Sequence, residues 1–153
     1  MLVSFSDDIW LADGPNVAVA GFDYPTRMAI LRLSDGSLFI WSPVALGNEL
    51  KTLVDALGIV RYVIAPNSLH HLSRGDWRRA YPSAKLYAPP GLRAKRKDFV
   101  FDGDLIDEPP IEWRKDIDQV LVRGNVITTE VVFFHKKSGT VMLTDLIQHF
   151  STS

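Results

Sequence analysis

The sequence contains no cysteine. Disulfides, thiolate metal sites and a cysteine nucleophile are therefore excluded, and any metal site must be built from His, Asp, Glu or Asn. Long hydrophobic runs are missing as well, since runs such as Val17 to Ala20 and Val131 to Phe134 fall far short of the ~20 residues of a membrane-spanning helix. The first residues, MLVSFSDDIW, carry acids where a signal peptide has its basic region. We therefore expect a cytoplasmic protein.

Neither acidic nor basic residues are in large excess. The chain has 17 Lys and Arg residues against 18 Asp and Glu residues, a formal net charge of −1 at pH 7. This balance gives no electrostatic reason to expect nucleic acid or a membrane as a partner, and we expect neither. The basic run Arg93 to Lys97 is followed by Asp98 and Asp102, which favours a solvated helix end over a phosphate-binding patch.

Several common signature motifs are missing too. The sequence has no G-x-G-x-x-G, P-loop, G-x-S-x-G or H-E-x-x-H pattern, which removes the commonest nucleotide-binding, serine-hydrolase and zincin motifs. What is present is the composition of an ordinary globular protein, with 46% hydrophobic and 23% charged residues in 153. Because domains typically run to roughly 100–150 residues, we predict a single domain over residues 1–153.

Strand and helix patterns alternate over the first part of the chain. Two short β-patterns flank Asp35-Gly36, which predicts a tight hairpin. Apolar residues then recur at helical spacing up to Gly58, in the place of a C-terminal cap, and a β-branched run typical of a strand buried on both faces follows. The order helix, strand, helix, strand predicts a mostly parallel unit. The predicted elements are strands Met28–Leu33 and Ser37–Trp41, helix Asn48–Leu57, strand Ile59–Ala65, a short helix around Trp77 and strand Lys85–Tyr87.

The last third of the chain returns to β-patterns after an irregular stretch from Leu92 to Pro110. His135 stands at the mouth of a predicted hairpin and is interpreted as a surface residue. The strands are predicted at Gln119–Val122, Thr128–Phe134 and Val141–Leu143, with a hairpin turn over Lys136–Gly139. The tryptophans are interpreted as core or core-edge residues: Trp10, Trp41, Trp77 and Trp113.

The four histidines are few enough for their positions to be informative. His70 and His71 follow a predicted buried strand, at the carboxyl end where sites form in open α/β sheets. Asp145 directly follows the strand pattern VMLT, and His149 lies four residues later, on the same face if Asp145 opens a helix. A carboxylate with two or three imidazoles is a workable ligand set for zinc, iron or manganese.

A structural role explains the same residues without any metal. Asp145 is well placed to cap a helix by accepting a backbone N–H bond, and His149 fits a solvated position near a chain end. His70 and His71 fit a loop in which they only bind backbone carbonyl groups. Spacing alone does not decide between these alternatives.

Three segments of the sequence resemble a known family. They read RMAILRLSDGSLFIWSPV (Arg27 to Val44), YVIAPNSLHHLSRGDWRRAYPSAKLYAPPGL (Tyr62 to Leu92) and EVVFFHKKSGTVMLTDLIQHF (Glu130 to Phe150). The family is catalogued as a domain of unknown function and regarded as divergent metallo-β-lactamase-fold proteins. The resemblance implies an α/β (α+β) fold, a metallo-β-lactamase-like αββα sandwich that is shortened at its C-terminus.

The resemblance also implies a degenerate metal site. The superfamily's Gly-His pair is similar to Gly124-Asn125, and its bridging Asp matches Asp145. Its strand-end motif His-x-His-x-Asp-His falls here on Asn67, Leu69, His71 and Leu72, or one residue earlier on Pro66, Ser68, His70 and His71. We therefore expect no cofactor, and a pocket formed by Asn67, His70, His71, Asn125 and Asp145.

Two functions stay open at this stage. The first is a domain whose pocket binds a small molecule or a partner, or carries out an unassigned hydrolysis. The alternative is a mononuclear metal-dependent hydrolase in which Asp145 and His70 or His71, with His149 as a further ligand, hold zinc, iron or manganese. Because a shortened second half leaves a sheet edge or apolar surface uncovered, we also expect a homo-oligomer that covers it.

Overall fold

The computed structural model describes residues 2–19, 22–65, 74–89, 101–122 and 130–142. This part of the chain forms a mixed α/β fold with a seven-stranded sheet, a three-stranded sheet and two helices. Neither helix is long and apolar enough to cross a membrane.

The larger sheet has its strands in sequence order. They are β1 (Val3–Ser6), β2 (Ile9–Val19), β3 (Phe22–Arg32), β4 (Ser37–Trp41), β5 (Ile59–Ile64), β6 (Lys85–Ala88) and β7 (Gly103–Asp104). Neighbours from β1 to β4 pair antiparallel, whereas β4 to β7 pair parallel. The predicted hairpin between β3 and β4 is confirmed, with Gly36 at φ +87° and Asp35 accepting hydrogen bonds from the backbone and hydroxyl of Ser37.

Two helices connect the parallel strands of this sheet. Helix α1 (Asn48–Leu57) lies between β4 and β5, and α2 (Arg74–Ala80) lies between β5 and β6, as predicted. Gly58 is the C-terminal cap of α1, but its φ of 161° is extended backbone that any residue adopts. A Cβ atom there would lie 2.6 Å from the carbonyl oxygen of Gly36, so glycine is required by this close approach to the hairpin turn.

The smaller sheet is antiparallel, in the order β10-β9-β8. Its strands are β8 (Ile117–Val122), β9 (Glu130–His135) and β10 (Thr140–Met142). The three predicted strands are therefore confirmed, with ends displaced by one or two residues. The sequence patterns missed β1 and β2, and they also missed the two-residue strand β7 inside the stretch predicted to be irregular.

Two hydrophobic cores lie on opposite faces of the larger sheet, as the alternation along β4 shows. Phe39 points into the inter-sheet core, where it meets Phe133 of β9, with ring centroids 5.6 Å apart. Ile40 points into the helix-side core, which contains Val54 of α1 and Trp77 of α2. The described layers are therefore helices, larger sheet and smaller sheet.

Strand β5 was predicted to be buried on both faces, and its first half departs from this prediction. Residues 62–65 are buried, but Ile59 is 71% exposed and Arg61 is exposed as well. The pairing of β4 with β5 shifts register at this point, because Leu38 pairs with Val60 and Phe39 with Tyr62. Arg61 is thus the extra residue of a bulge, which turns it away from the core.

His135 was predicted to be a surface residue, and this is wrong. It follows Val131 and Phe133 on the inward face of β9, so the strand's two-residue period buries it at 2% exposure. Its Nδ1 atom lies 2.7 Å from the Ser138 hydroxyl, which in turn donates to Thr140. Burial lowers the pKa of His135, and the opposing effects of Asp116 and Asp8 are smaller.

The low pKa of His135 predicts a specific pH dependence. The unfolded chain, with a histidine pKa of about 6.5, binds more protons than the folded one, so stability is lost as the pH falls from about 7 through the folded pKa. Replacing His135 with Asn keeps a polar atom near Ser138 but removes the titration. We expect the stability advantage of the natural protein over His135→Asn, measured by urea unfolding, to shrink between pH 7.5 and pH 5.5. A difference that stays constant with pH would contradict this assignment.

Candidate functional site

Strands of both sheets end at one edge of the sandwich, which we call the carboxyl-end edge. In the larger sheet β4, β5 and β6 are parallel and end at Trp41, Ile64 and Ala88. In the smaller sheet β8 and β10 run in the same sense as each other, because both pair antiparallel with β9, and they end at Val122 and Met142.

Polar contacts at the opposite edge, where these strands begin, show that the strands named in the two sheets run in the same direction. The backbone N–H and hydroxyl of Ser34, in the turn before β4, donate to Asp116, which directly precedes β8. Lys137, in the turn before β10, donates at 2.7 Å to Asp8, which lies in the turn before β2. Strands that begin together in sheets packed face to face also end together, since aligned sheets keep their strand directions within about 30°.

Backbone hydrogen bonds tie the described strand ends at this edge to one another. The N–H of Ser42 donates to the carbonyl of Ile64, that of Ala65 donates to Tyr87, and that of Leu105 donates to Ala88. The three distances lie between 2.7 and 3.0 Å. The strand ends from which the loops start are therefore held together by main-chain hydrogen bonds. Side-chain substitutions change such bonds little.

Ser42 carries an unusual backbone conformation at this edge. Its φ of +56° lies in the left-handed region, and the residue is 1% exposed. A non-glycine residue held there costs on the order of 1–3 kcal/mol, and such residues cluster at functional sites. The neighbouring structure must compensate for this cost, in part through the Ser42 to Ile64 hydrogen bond.

Trp41, the last residue of β4, has a buried donor with no acceptor in the part of the chain that the structure describes. Its side chain belongs to the inter-sheet core and is 6% exposed, and Nε1 has no hydrogen-bond partner among the described residues. Trp77 and Trp113 both have one, because they donate to the Val44 carbonyl at 2.7 Å and to Gln119 Oε1 at 2.9 Å. A buried donor left unpaired costs about 1–3 kcal/mol, so an acceptor that reaches Trp41 from outside this set would be bound favourably.

Two tyrosines of the inter-sheet core act as neutral groups. Burial raises the pKa of Tyr62 and that of Tyr87, and a negative charge on Glu112 acts in the same direction on both. The Tyr87 hydroxyl donates to Glu112 at 2.9 Å. Both hydroxyls therefore stay protonated at neutral pH and are unsuited to the role of a base.

The pocket residues predicted from sequence, and the alternative metal ligand His149, all follow strands that end at the carboxyl-end edge. Asn67, His70 and His71 follow β5, Asn125 follows β8, and Asp145 and His149 follow β10. All six lie outside the described residues, so their mutual geometry stays a prediction. The basic run Arg93 to Lys97 lies outside them too.

The residues predicted for this edge differ from the ligand set of a conventional two-metal centre. Across the described ranges, no three His, Asp or Glu side chains come together in a way that would hold a metal ion. The predicted residues after β5, β8 and β10 comprise three histidines, two asparagines and one aspartate. Such a set would be too poor in imidazole for two ions, but it would suffice for one if the predicted residues converge.

Trp41 and Ser42 are the residues that sequence reasoning missed at this edge. Trp41 was correctly predicted to be buried, but no pattern in the sequence reports whether an indole N–H finds an acceptor. Ser42 precedes Pro43, which favours extended backbone at Ser42, so no local pattern indicated its left-handed conformation.

A family model described as "Domain of unknown function (DUF4336)" matches residues 6–153. A comparison with curated proteins finds no match. Solved structures with the same fold include the DIM-1 metallo-beta-lactamase exposed to ceftazidime, with a TM-score of 0.77 and 15% identity over 99% of this chain and 72% of that one.

Other metallo-beta-lactamases agree with this match. The TMB-1 enzyme gives a TM-score of 0.76 and 15% identity over 100% of this chain and 73% of that one. The metallo-beta-lactamase from Pontibacter korlensis gives 0.68 and 10% identity over 92% and 69%. The predicted resemblance and fold class are therefore confirmed, and at these identities the likeness concerns the fold alone.

The unpaired N–H of Trp41 predicts that replacing Trp41 with Phe destabilises the protein less than replacing Trp113 with Phe. Trp41→Phe removes an unsatisfied N–H, whereas Trp113→Phe removes a donor that Gln119 needs and leaves a buried acceptor unpaired. Both changes also lose packing volume. In the absence of added ligand we expect Trp41→Phe to lower the free energy of unfolding by at least about 1 kcal/mol less than Trp113→Phe does, measured in urea. Equal losses would show that Trp41 has an acceptor after all.

Proposed function

The chain belongs to the family described as "Domain of unknown function (DUF4336)" and has the metallo-beta-lactamase fold, and on that premise we propose that it binds a small oxygen-containing ligand at the carboxyl-end edge. The ligand is a carboxylate, phosphoryl or carbonyl compound. Binding does not require a two-metal centre.

One observation carries this proposal. Strands from both sheets end together at this edge, and each segment that contains a predicted pocket residue begins there. Loops that leave the carboxyl ends of neighbouring parallel strands form the crevice in which α/β proteins bind ligands. The polar side chains of Asn67, His70, Asn125 and Asp145 thus follow strands that lead to one place.

The chemistry of the ligand follows from the groups available to it. The indole N–H of Trp41 is a donor that needs an acceptor, and it lies at the end of β4 on the inward face. Histidine and asparagine side chains add further donors. An oxygen-rich group is therefore the favoured ligand.

The second candidate is a mononuclear metal-dependent hydrolase. Asp145 with His70 or His71, and His149 as a further ligand, would hold zinc, iron or manganese. The metal would polarise a substrate oxygen and lower the pKa of water. The observation in favour is that β5 and β10, which precede these residues, end at the same edge.

Ligand binding can be tested with Trp41 as the reporter. We expect at least one compound from a panel of small carboxylates, phosphoesters, lactones and thioesters to raise the melting temperature of the natural protein. Trp41→Phe should weaken that binding at least tenfold, because it removes one buried hydrogen bond. Trp10→Phe is the matched control, since Trp10 lies near the opposite edge, where Arg32 stacks on its ring. A panel without any hit, or equal binding by both variants, would count against the proposal.

Metal analysis separates the two candidates. The protein is incubated with zinc, manganese or ferrous iron, desalted and analysed for its elements, beside Asp145→Ala and the control Asp7→Ala, an exposed carboxylate at the opposite edge. The small-ligand candidate predicts that neither the natural protein nor either variant retains metal. Near-stoichiometric metal that disappears in Asp145→Ala alone would establish the metal site of the second candidate and contradict the first.

A further inference from the structure

One indole joins the connection after β4 to helix α2. Trp77 of α2 is fully buried, and its N–H donates to the Val44 carbonyl at 2.7 Å. Val44 is buried as well and lies in the connection between β4 and α1. Strands β4 and β5 are parallel neighbours, and α2 is the element that follows β5. A single side chain therefore links the two connections that leave these strands at the carboxyl-end edge.

The residues from Ser42 to Val44 are held at both ends. The Ser42 N–H donates to the Ile64 carbonyl at 2.9 Å, and the Val44 carbonyl accepts from Trp77. Pro43 lies between them and favours extended backbone in the residue before it, which opposes the φ of +56° at Ser42. A backbone conformation that the local sequence disfavours persists only where the surrounding structure imposes it. The hydrogen bond from Trp77 is one of the contacts that impose it.

Trp41 directly precedes this connection, so the backbone of Ser42 affects the position of the Trp41 indole. The Trp41 backbone pairs with Ala29 and Ile64, whereas its indole extends into the inter-sheet core. Trp77 lies in the helix-side core, on the other face of the larger sheet. Any influence of Trp77 on the Trp41 indole must therefore pass through the backbone of Ser42 to Val44.

Tyr81 holds the Trp77 indole from the outer side of the helices. Its ring stacks on Trp77 with centroids 5.7 Å apart and planes inclined by 27°. The Tyr81 hydroxyl donates at 2.7 Å to Asp55 of α1, which also accepts from Lys51. Because α1 begins where the connection after β4 ends, the two helices and this connection are tied into one unit.

We infer that Trp77 is a positioning residue of the small-ligand site at the carboxyl-end edge. Its hydrogen bond to Val44 helps to hold Ser42 in the left-handed conformation, and thereby holds the Trp41 N–H in place for an oxygen atom of the ligand. Trp77 itself does not touch the ligand. This inference rests on the proposed function for the ligand, but the link between Trp77 and Trp41 can be measured in the ligand-free protein.

Hydrogen exchange of the indole N–H groups tests this link without any ligand. The chain has four tryptophans, so protein labelled with ¹⁵N-tryptophan gives four indole signals. Trp77→Phe keeps an aromatic ring but removes the hydrogen bond to Val44. In this variant we expect the Trp41 N–H to exchange at least about fivefold faster relative to the Trp113 N–H, which reports any general loss of stability. An unchanged ratio of the two rates would overturn the inference.

Trp113→Phe is the matched control for this experiment. Trp113 is also fully buried and also donates one hydrogen bond, but that bond goes to Gln119 of the smaller sheet. We expect Trp113→Phe to leave the Trp41 rate within twofold, relative to the Trp77 N–H. Equal acceleration of Trp41 by both variants would show that Trp77 has only a structural role.

Inorganic phosphate and acetate are the probes for the ligand itself. We expect at least one of them to shift the Trp41 indole signal of the natural protein. Trp77→Phe should raise the dissociation constant of that probe at least about fivefold, and Trp113→Phe should leave it within twofold. Probes that do not move the Trp41 signal would count against the small-ligand proposal, while the exchange ratio still decides the role of Trp77. Equal dissociation constants for the natural protein and Trp77→Phe would overturn that role.

A second variant keeps the inference testable if Trp77→Phe does not fold. Tyr81 is only partly buried, and Tyr81→Leu removes both the ring that stacks on Trp77 and the hydrogen bond to Asp55. The Trp41 N–H should then exchange at least about twofold faster relative to that of Trp113. Lys51→Met removes the other hydrogen bond to Asp55 and should leave the ratio unchanged. Equal ratios in these two variants would contradict the inference.

Discussion

The packing of the two sheets depends on one side chain, the indole of Trp113. Its ring makes edge-to-face contacts with Phe39, Tyr62 and Tyr87 on three neighbouring strands of the larger sheet, with centroids 4.8 to 5.2 Å apart. Its N–H donates to Gln119 of the smaller sheet, and Gln119 donates to the Ile106 carbonyl. Such aromatic pairs contribute about 0.5–1.5 kcal/mol each beyond the area they bury. Trp113 thus fixes both the separation and the relative position of the sheets.

Charged contacts complete this alignment at the edge opposite the candidate site. Asp8 accepts from Arg32 on its own sheet and from Lys137 of the other sheet. The hydrogen bond from Lys137 lowers the pKa of Asp8 most, and the effect of burial in the other direction is smaller. These contacts hold the ends where the strands begin, and the backbone hydrogen bonds of Ser42, Ala65 and Leu105 hold the ends where β4, β5 and β6 finish. The loops at the carboxyl-end edge therefore can differ in sequence while the frame beneath them stays the same.

Periodic patterns in the sequence predicted most of the fold but little of the site. The helix Asn48–Leu57, the hairpin at Gly36 and the three late strands follow from local spacing, which the structure confirms. His135 was misassigned because a hairpin position says nothing about which face of a strand meets a core. The long strand β2 was missed because ADGPN, within it, has the composition of a turn, and only pairing with β3 across a register shift makes it a strand.

The site itself depends on long-range relations that no local pattern contains. That β5, β8 and β10 finish at one edge is a property of topology, and the sequence predicted it only through the resemblance to a known fold. The unpaired N–H of Trp41 and the left-handed backbone of Ser42 depend on what surrounds them in space. Neither residue type nor spacing distinguishes Trp41 from the fully paired Trp77.

The carboxylates of Asp107 and Asp118 block one edge of the smaller sheet. An open strand edge is a template on which another chain can pair and begin a fibre. Along β8, N–H groups that an incoming strand would need are already bound within the molecule, since Leu121 donates to Asp107 and Gln119 donates to Asp118. Two acidic side chains thus protect β8 from pairing with another chain.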